Sequence, residues 1–182
     1  MKKGVVYAFS AYFLWGVLPV YLKSVQSVPA IQILGHRIVW SVLLLAIIVT
    51  WQRQWGEIKK ILQSKKTMLT LLFAASLLSV NWLTYIWGVN SGYVVETSLG
   101  YFINPLVSVV FGVFFLKERL RNWQWVPLGL ATLGVIYLTW SYGRLPWIAL
   151  VLAFSFGIYG LLKKTVAASA LQGLMIETSI LF

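Results

Sequence analysis

The sequence predicts an all-α fold, a polytopic bundle of transmembrane helices. Of its 182 residues, 60% are hydrophobic and only 10% are charged, and the mean hydropathy is +0.83. A soluble domain carries about 25% charged residues, so this composition excludes an ordinary soluble fold. A helix needs roughly 20 apolar residues to cross a bilayer. The chain has six such runs, at 4–22, 31–50, 68–90, 94–116, 123–140 and 145–162, and a seventh begins near residue 173.

The basic residues predict how the bundle is oriented. Twelve of the fifteen lysines and arginines lie at the N-terminus or in alternate loops, whereas the opposite loops contain only Lys23 and Arg144. Cytoplasmic loops of membrane proteins carry such an excess. We therefore expect a multi-pass membrane protein with a cytoplasmic N-terminus. Because the net charge of +11 is distributed by sidedness and is not gathered on one face, we expect no nucleic-acid partner.

The first span contains a helix break at Pro19. A proline inside a helix leaves the carbonyl four residues earlier, here that of Trp15, without its amide donor. Hydrocarbon offers no replacement donor, so we expect a kink in the outer half of this helix. The kink either shapes the bundle or moves during gating.

The second span places His36 and Arg37 inside the membrane near its outer end. Arg37 follows Ile31 by six residues, or about 9 Å along a helix, and a long side chain can snorkel to the interface from that depth. The alternative is a pair with Glu96, which enters the fourth span from the same side. Since a lone charge in hydrocarbon costs about 3 kcal/mol or more, we favour the Arg37 to Glu96 pair. His36 beside such a pair is either a group that titrates near neutral pH or only a hydrogen-bonded histidine.

The basic connector 51–66 has an apolar face. Trp51, Trp55, Ile58 and Leu62 recur at helical spacing, and the lysines and arginine lie elsewhere. This pattern indicates a short helix lying on the inner leaflet. A solvated basic loop that only sets the topology is the alternative.

The third and fourth spans carry polar residues at helical spacing. Asn81 and Tyr85 share one face of the third span, and Tyr101 and Asn104 share one face of the fourth. Pro105 breaks the fourth span and leaves the Tyr101 carbonyl without its amide donor. The two stripes indicate either a packing seam between helices or the wall of a solute pathway. They also include Thr84, Gly88 and Gly92 in the third span and Thr97, Gly100, Ser108 and Gly112 in the fourth.

The last spans indicate an internal repeat. The sixth span aligns with the first at an offset of 141 residues, and His36 then aligns with Glu177. Because five spans separate the two starts, the second unit begins on the opposite side of the membrane, which gives inverted-topology repeats. We expect a five-helix transmembrane repeat at 4–140 and the truncated start of a second, inverted repeat at 145–182.

These features together resemble the EamA family of the drug/metabolite transporter superfamily, and within it the RarD branch. The resemblance covers essentially the whole chain and implies a ten-helix fold of two inverted repeats around a central cavity. Members of the family continue for about three more helices beyond the position of Phe182. We therefore expect this chain to be a truncated product or a fragment, or to need a second chain. The resemblance is carried by Trp15, Gly16 and Pro19, by stretch 90–92, by stretch 96–105 with Asn104 and Pro105, and by stretch 116–120.

The resemblance implies a secondary transporter, a permease for small metabolites or drugs that exports its solute by alternating access. The resemblance also implies the bacterial cytoplasmic (inner) membrane as the location, and the lipid bilayer and a small-molecule solute are the expected partners. The expected substrate cavity consists of Asn81, Tyr85, Tyr101 and Asn104; Glu96, Arg37 and His36 are expected to form an outer gate or to couple transport to protons.

Two other classes of function compete with transport. An intramembrane enzyme is disfavoured, since the chain has no aspartate, one histidine and four glutamates, without paired carboxylates, a metal-ligand cluster or a glycine-rich phosphate loop. We accordingly expect no catalytic residues, no cofactor and no metal. A non-transporting membrane fragment or scaffold is the second alternative; it would need a second chain or a homo-oligomer.

Overall fold

The computed structural model describes residues 2–143 and 145–182 as a bundle of helices. The regular elements in these two ranges are all helical, so the predicted all-α bundle is confirmed. A 3₁₀ turn, Asn122–Gln124, leads into the sixth helix. The α-helices of the described ranges are α1 (Lys2–Ser24), α2 (Ala30–Trp51), α3 (Trp55–Gln63), α4 (Lys65–Asn90), α5 (Val94–Leu116), α6 (Trp125–Tyr142), α7 (Trp147–Thr165) and α8 (Ala170–Leu181).

Five of the described helices, α1, α2, α4, α5 and α7, are long and apolar enough to cross a membrane. They coincide with the first, second, third, fourth and sixth predicted runs, and the chain is a multi-pass membrane protein. The fifth run is α6, an apolar helix of 18 residues. The seventh is α8, which begins at Ala170, slightly earlier than predicted. It begins there because the Ser169 hydroxyl accepts a hydrogen bond from the Gln172 amide in a capping box.

The basic connector forms the predicted short helix, α3, but only part of its apolar face is exposed. Ile58 and Ile61 are buried in a cluster with Met175 of α8. Trp51 and Trp55 stay exposed, as interfacial indoles do. Ile58 was predicted to face the lipid, but its side chain is buried and packs α3 against the bundle.

The centre of the bundle is α7, which packs against both α4 and α5. The helix α8 packs against α2 and α4, whereas α1 packs on α4 and α6 on α5 at the periphery. A tight turn at Gly92 joins α4 to α5, and its φ of +86° is a left-handed conformation that glycine adopts without strain. This turn makes α4 and α5 antiparallel neighbours, and together they form the surface on which α7 packs.

Small residues bring α5 and α7 close together. A Cβ atom on Gly157 of α7 would lie 2.7 Å from a methyl group of Val107, and one on Gly100 of α5 would lie 3.2 Å from the carbonyl oxygen of Ala149. Ala149 and Ala153 are fully buried at the same contact. Small side chains permit this approach, and dispersion contacts over its length stabilise the pair.

Candidate functional site

A cavity of about 360 Å³ lies inside the bundle. Its wall includes Asn81 and Tyr85 of α4 and Tyr101 and Asn104 of α5, the four residues predicted to line a cavity. Asn104 lies ten residues into α5, or about 15 Å, which is half of the ~30 Å hydrocarbon thickness. The role of these residues in substrate binding stays a prediction. The other lining residues are Trp15, Leu18, Arg37, Leu78, Trp82, Gly100, Leu152, Phe156, Tyr159 and Leu174.

The stripe predicted along α5 divides between two adjacent faces. Thr97 and Gly100 are buried, with Thr97 against Gly88 of α4 and Gly100 against α7. Tyr101 and Asn104 instead border the cavity. The two interpretations of the stripe, a packing seam and a pathway wall, thus apply to different residues of the same helix.

Arg37 lies in the aromatic part of the cavity wall. Its guanidinium carbon is 4.4 Å from the centre of the Trp82 ring, which is a cation–π contact. Tyr85 and Tyr101 lie within electrostatic reach of the same group, and their ring centres are 5.7 Å apart. Trp82 precedes the end of α4 by eight residues, or about 12 Å. The guanidinium is therefore held at that depth, and the snorkelling expected as an alternative is absent.

The expected pair of Arg37 with Glu96 is not found among the ion pairs of the described residues. Glu96 is 1% exposed, and its Oε1 accepts a hydrogen bond of 2.9 Å from the amide of Ile148. Ile148 is the second residue of α7, so the carboxylate lies at the positive end of that helix. The expected contact was wrong because Glu96 faces α7, whereas Arg37 faces the cavity.

His36 lies beside Arg37 in sequence but lines a different space. It is exposed on a wider cleft of about 760 Å³ between α1 and α2. Arg37 and Trp15 line both the cavity and this cleft. Arg37 therefore forms part of the partition between them, and His36 stands on the far side. The gating or coupling role of His36, Arg37 and Glu96 stays a prediction.

The two predicted helix breaks, Pro19 in α1 and Pro105 in α5, lie inside helices that continue through them. The carbonyls that lose their intrahelical donors belong to Trp15 and Tyr101. Both residues line the cavity, and their rings stack with centres 6.4 Å apart. The two residues whose carbonyls the prolines release thus meet at the cavity.

Asn81 has a packing role that the sequence left open. Its side-chain amide donates two hydrogen bonds of 2.9 Å, one to the Leu152 carbonyl and one to the Ser155 hydroxyl of α7. A polar bridge of this kind holds neighbouring helices together in lipid. Asn81 therefore borders the cavity and also positions α7.

A buried cluster around Glu177 was not predicted as functional. Glu177 of α8 is 0% exposed, and it accepts hydrogen bonds from Lys163 Nζ at 2.9 Å and from the Tyr159 hydroxyl at 3.0 Å. Tyr159 also lines the cavity. The sequence signal was the alignment of Glu177 with His36 between the repeats, which marked an ionisable residue but not its partners.

The chain matches the family model described as "EamA-like transporter family" over residues 2–140. The protein RarD of Escherichia coli (strain K12) is 46% identical over 97% of this chain, and RarD of Salmonella typhimurium is 45% identical over the same share. The uncharacterized transporter YojE of Bacillus subtilis is 46% identical over 97% of the chain. In each case the match covers 60% of the relative, so the chain spans about 60% of the length of these proteins. No solved structure matches it significantly.

Proposed function

The chain belongs to the EamA-like transporter family, and from this premise we propose that the whole protein is a secondary transporter that exports a small metabolite or drug. Relatives of the chain are named RarD or uncharacterized transporter. These similarities confirm the RarD branch that the sequence predicted. The direction of transport and the solute belong to the proposal. The membrane is the bacterial inner membrane, with the N-terminus in the cytoplasm.

The observation that carries the proposal is the cavity of about 360 Å³ at mid-membrane depth. Secondary transporters bind their solutes near the bilayer midplane, between repeats and beside broken helices. Here the two helices with an internal proline, α1 and α5, meet at the cavity through Trp15 and Tyr101. Asn104 adds an amide to an otherwise mostly apolar and aromatic wall, which is the composition of a small-molecule site.

We assign residues 4–140 to the first repeat and residues 145–182 to the start of the second, inverted repeat. The position of α7 supports this division, because the first helix of the second unit packs directly on α4 and α5 of the first. Alternating access would then consist of a tilt of one repeat against the other, with the cavity at their contact.

Glu96, Arg37 and His36 are proposed as the gating and coupling groups. Arg37 stands between the cavity and the α1–α2 cleft, so a displacement of its side chain would connect the two spaces. Glu96 holds the start of α7, and protonation of the carboxylate would weaken that hold. His36 is exposed on the cleft, which places an imidazole next to the proposed gate.

The test uses cysteine labelling of the full-length protein in sealed membrane vesicles. The described chain has no native cysteine, so with any others replaced, Asn104→Cys reports on the cavity alone. Alternating access predicts labelling of this cysteine by a membrane-impermeant maleimide from both faces of the membrane. An exposed control, Lys59→Cys on α3, is labelled from one face only. If Asn104→Cys reacts from neither face or from only one, the non-transporting scaffold is the better description.

A further inference from the structure

A buried ion pair joins α7 to α8 beside the cavity. Glu177 of α8 is 0% exposed, and it accepts a hydrogen bond of 2.9 Å from Lys163 and one of 3.0 Å from the Tyr159 hydroxyl. The ammonium group also lies 5.8 Å from the centre of the Tyr159 ring. These contacts connect the first two helices of the proposed second repeat.

The backbone of α8 leaves room for the lysine. A Cβ atom on Gly173 would overlap the Lys163 ammonium group, and Gly173 lies about one helical turn before Glu177. The lysine therefore reaches the carboxylate along the path that the glycine leaves open. Because α8 otherwise packs mainly against α2 and α4, the cluster is a main contact between α8 and α7.

The cluster borders the cavity near the ends of the two helices. Tyr159 of α7 and Leu174 of α8 both line the cavity. Lys163 is in the last turn of α7, and Glu177 follows the start of α8 by seven residues, or about 10 Å. With the N-terminus in the cytoplasm, as proposed, these helix ends face the cytoplasm. Separation of α7 from α8 at the cluster would therefore open the cavity toward that side.

The corresponding positions of the first repeat have different chemistry. At the offset of 141 residues that aligns the repeats, Glu177 corresponds to His36, and the positions of its two partners are occupied by Leu18 and Leu22. Leucine side chains form neither an ion pair nor a hydrogen bond. The polar cluster is therefore a feature of the second repeat, and the inverted topology places its apolar counterpart near the opposite face of the membrane.

A pair of opposite charges suits a contact that must both hold and release. While α7 and α8 stay together, loss of the pair would leave the buried Glu177 without its cation, which is strongly unfavourable. When the helices part and water enters, both charges are hydrated, and a solvated pair is worth little. The contact is therefore stable when closed or fully open and unstable in between, as in other two-state elements.

We propose that Tyr159, Lys163 and Glu177 form a latch that closes the cavity on the cytoplasmic side and releases when the transporter opens inward. This inference rests on the proposed transport function and adds an inner gate to the groups proposed above. The Tyr159 ring lines the cavity while its hydroxyl contacts Glu177. A solute that displaces the ring would withdraw the hydroxyl from the carboxylate and loosen the latch.

The test measures the labelling rate of Asn104→Cys from each face separately, with a membrane-impermeant maleimide and sealed vesicles that contain the full-length protein. Gly173→Ala is the informative variant, because its methyl group displaces the Lys163 ammonium from Glu177, whereas alanine favours the helix. We expect the cytoplasmic rate to rise roughly threefold or more and the outer rate to fall. A weaker latch shifts the population toward the inward-open state.

Two further variants separate the latch from a general loosening of the bundle. Tyr159→Phe keeps the ring and removes the hydroxyl that contacts Glu177, so it should change both rates in the same directions as Gly173→Ala, by a smaller factor. Gly160→Ala on α7 is the matched control, since a Cβ atom there meets nothing within 4 Å, and both rates should keep their parental values. Unchanged thermal melts show that the variants are folded.

The latch is overturned if Gly173→Ala leaves the ratio of the two rates at its parental value. It is also overturned if both rates rise alike, as they would after the loss of a merely structural contact. Two-sided labelling of the parent with an unchanged ratio in the variants leaves alternating access standing and removes only the latch. A parent that is not labelled from both faces overturns the transport function and the latch with it.

Discussion

The buried Glu96 of α5 accepts a 2.9 Å hydrogen bond from the backbone amide of Ile148, at the start of α7. The first amides of a helix have no intrahelical acceptor, and lipid offers none. A neighbouring helix here supplies the cap that a residue of the same helix usually provides. The Glu96 side chain also faces the positive end of the α7 dipole.

Replacing Glu96 by alanine should destabilise the bundle. Glu96→Ala leaves the Ile148 amide without this acceptor, and we expect a loss of about 1–3 kcal/mol of unfolding free energy. Glu96→Gln keeps an acceptor oxygen and should lose less. Denaturant unfolding of the full-length protein in detergent measures both. Glu57→Ala, on the exposed surface of α3, is the control and should change stability by less than about 1 kcal/mol.

The coupling role proposed for Glu96 has a separate prediction. Glu96→Gln cannot exchange a proton, so proton flux driven by an outward solute gradient should disappear while folding is retained. A pH-sensitive dye trapped in proteoliposomes that contain the full-length protein follows this flux. A variant that moves protons like the parent would leave Glu96 with only its structural role.

The two lysines at the end of α7 should differ in their effect on stability. Lys163 pairs with Glu177, which is 0% exposed, whereas Lys164 pairs with Glu118, which is 50% exposed. Lys163→Met leaves a buried carboxylate without its cation and should cost about 3–5 kcal/mol. Lys164→Met breaks a solvated pair and should cost at most about 1 kcal/mol. Equal unfolding midpoints for the two variants would contradict the buried pair.

The two asparagines of the cavity wall should separate stability from binding. Asn81→Leu removes two hydrogen bonds to α7 and should lower stability by about 1–2 kcal/mol. In the described part of the chain Asn104 accepts one long hydrogen bond of 3.4 Å, from Ser108, so Asn104→Leu should change stability by less than about 0.5 kcal/mol. Its effect should appear in solute affinity, measured by calorimetry on the same preparations. A large loss of stability in Asn104→Leu would show that this residue holds the helices together as well as lining the cavity.

A methyl group should be tolerated on α6 but not on α7. Gly157→Ala places a Cβ 2.7 Å from a methyl of Val107, a stiff side chain, and should cost about 1–3 kcal/mol by forcing α5 and α7 apart. Gly134→Ala on α6 meets nothing within 4 Å and should stay within about 1 kcal/mol, in the stabilising direction. The comparison is a pair of unfolding curves. A tolerated Gly157→Ala would mean that the two helices are less closely packed than described.

Hydropathy and helical spacing predicted the helices and four of the residues that line the cavity. The apolar runs correspond to α1, α2 and α4–α7 because lipid imposes their length. Asn81, Tyr85, Tyr101 and Asn104 could be selected because polar groups in a span must face protein or water. Pro19 and Pro105 were informative for the same reason, since the carbonyls they release cannot face hydrocarbon.

The partners of the charged residues could not be predicted, because they depend on how the helices pack. Arg37 and Glu96 enter the membrane from the same side, yet their helices turn the two side chains toward different neighbours. Glu96 contacts the backbone amide of Ile148, which carries no charge, so a rule that pairs charged side chains could not predict this contact. The cluster of Glu177 with Lys163 joins α8 to α7, and its two residues are too distant in sequence for a helical-spacing rule to connect them.

The packing of α7 against both α4 and α5 has a consequence for the synthesis of the chain. About 53 residues separate the starts of α5 and α7, which at bacterial elongation speeds is roughly 3–10 s of synthesis. During that interval the Asn81 amide and the Glu96 carboxylate have already reached the bilayer, while the Leu152 carbonyl and the Ile148 amide are still in the ribosome or the insertion channel. Until the later helix arrives, the half-built protein therefore lacks these two contacts to α7.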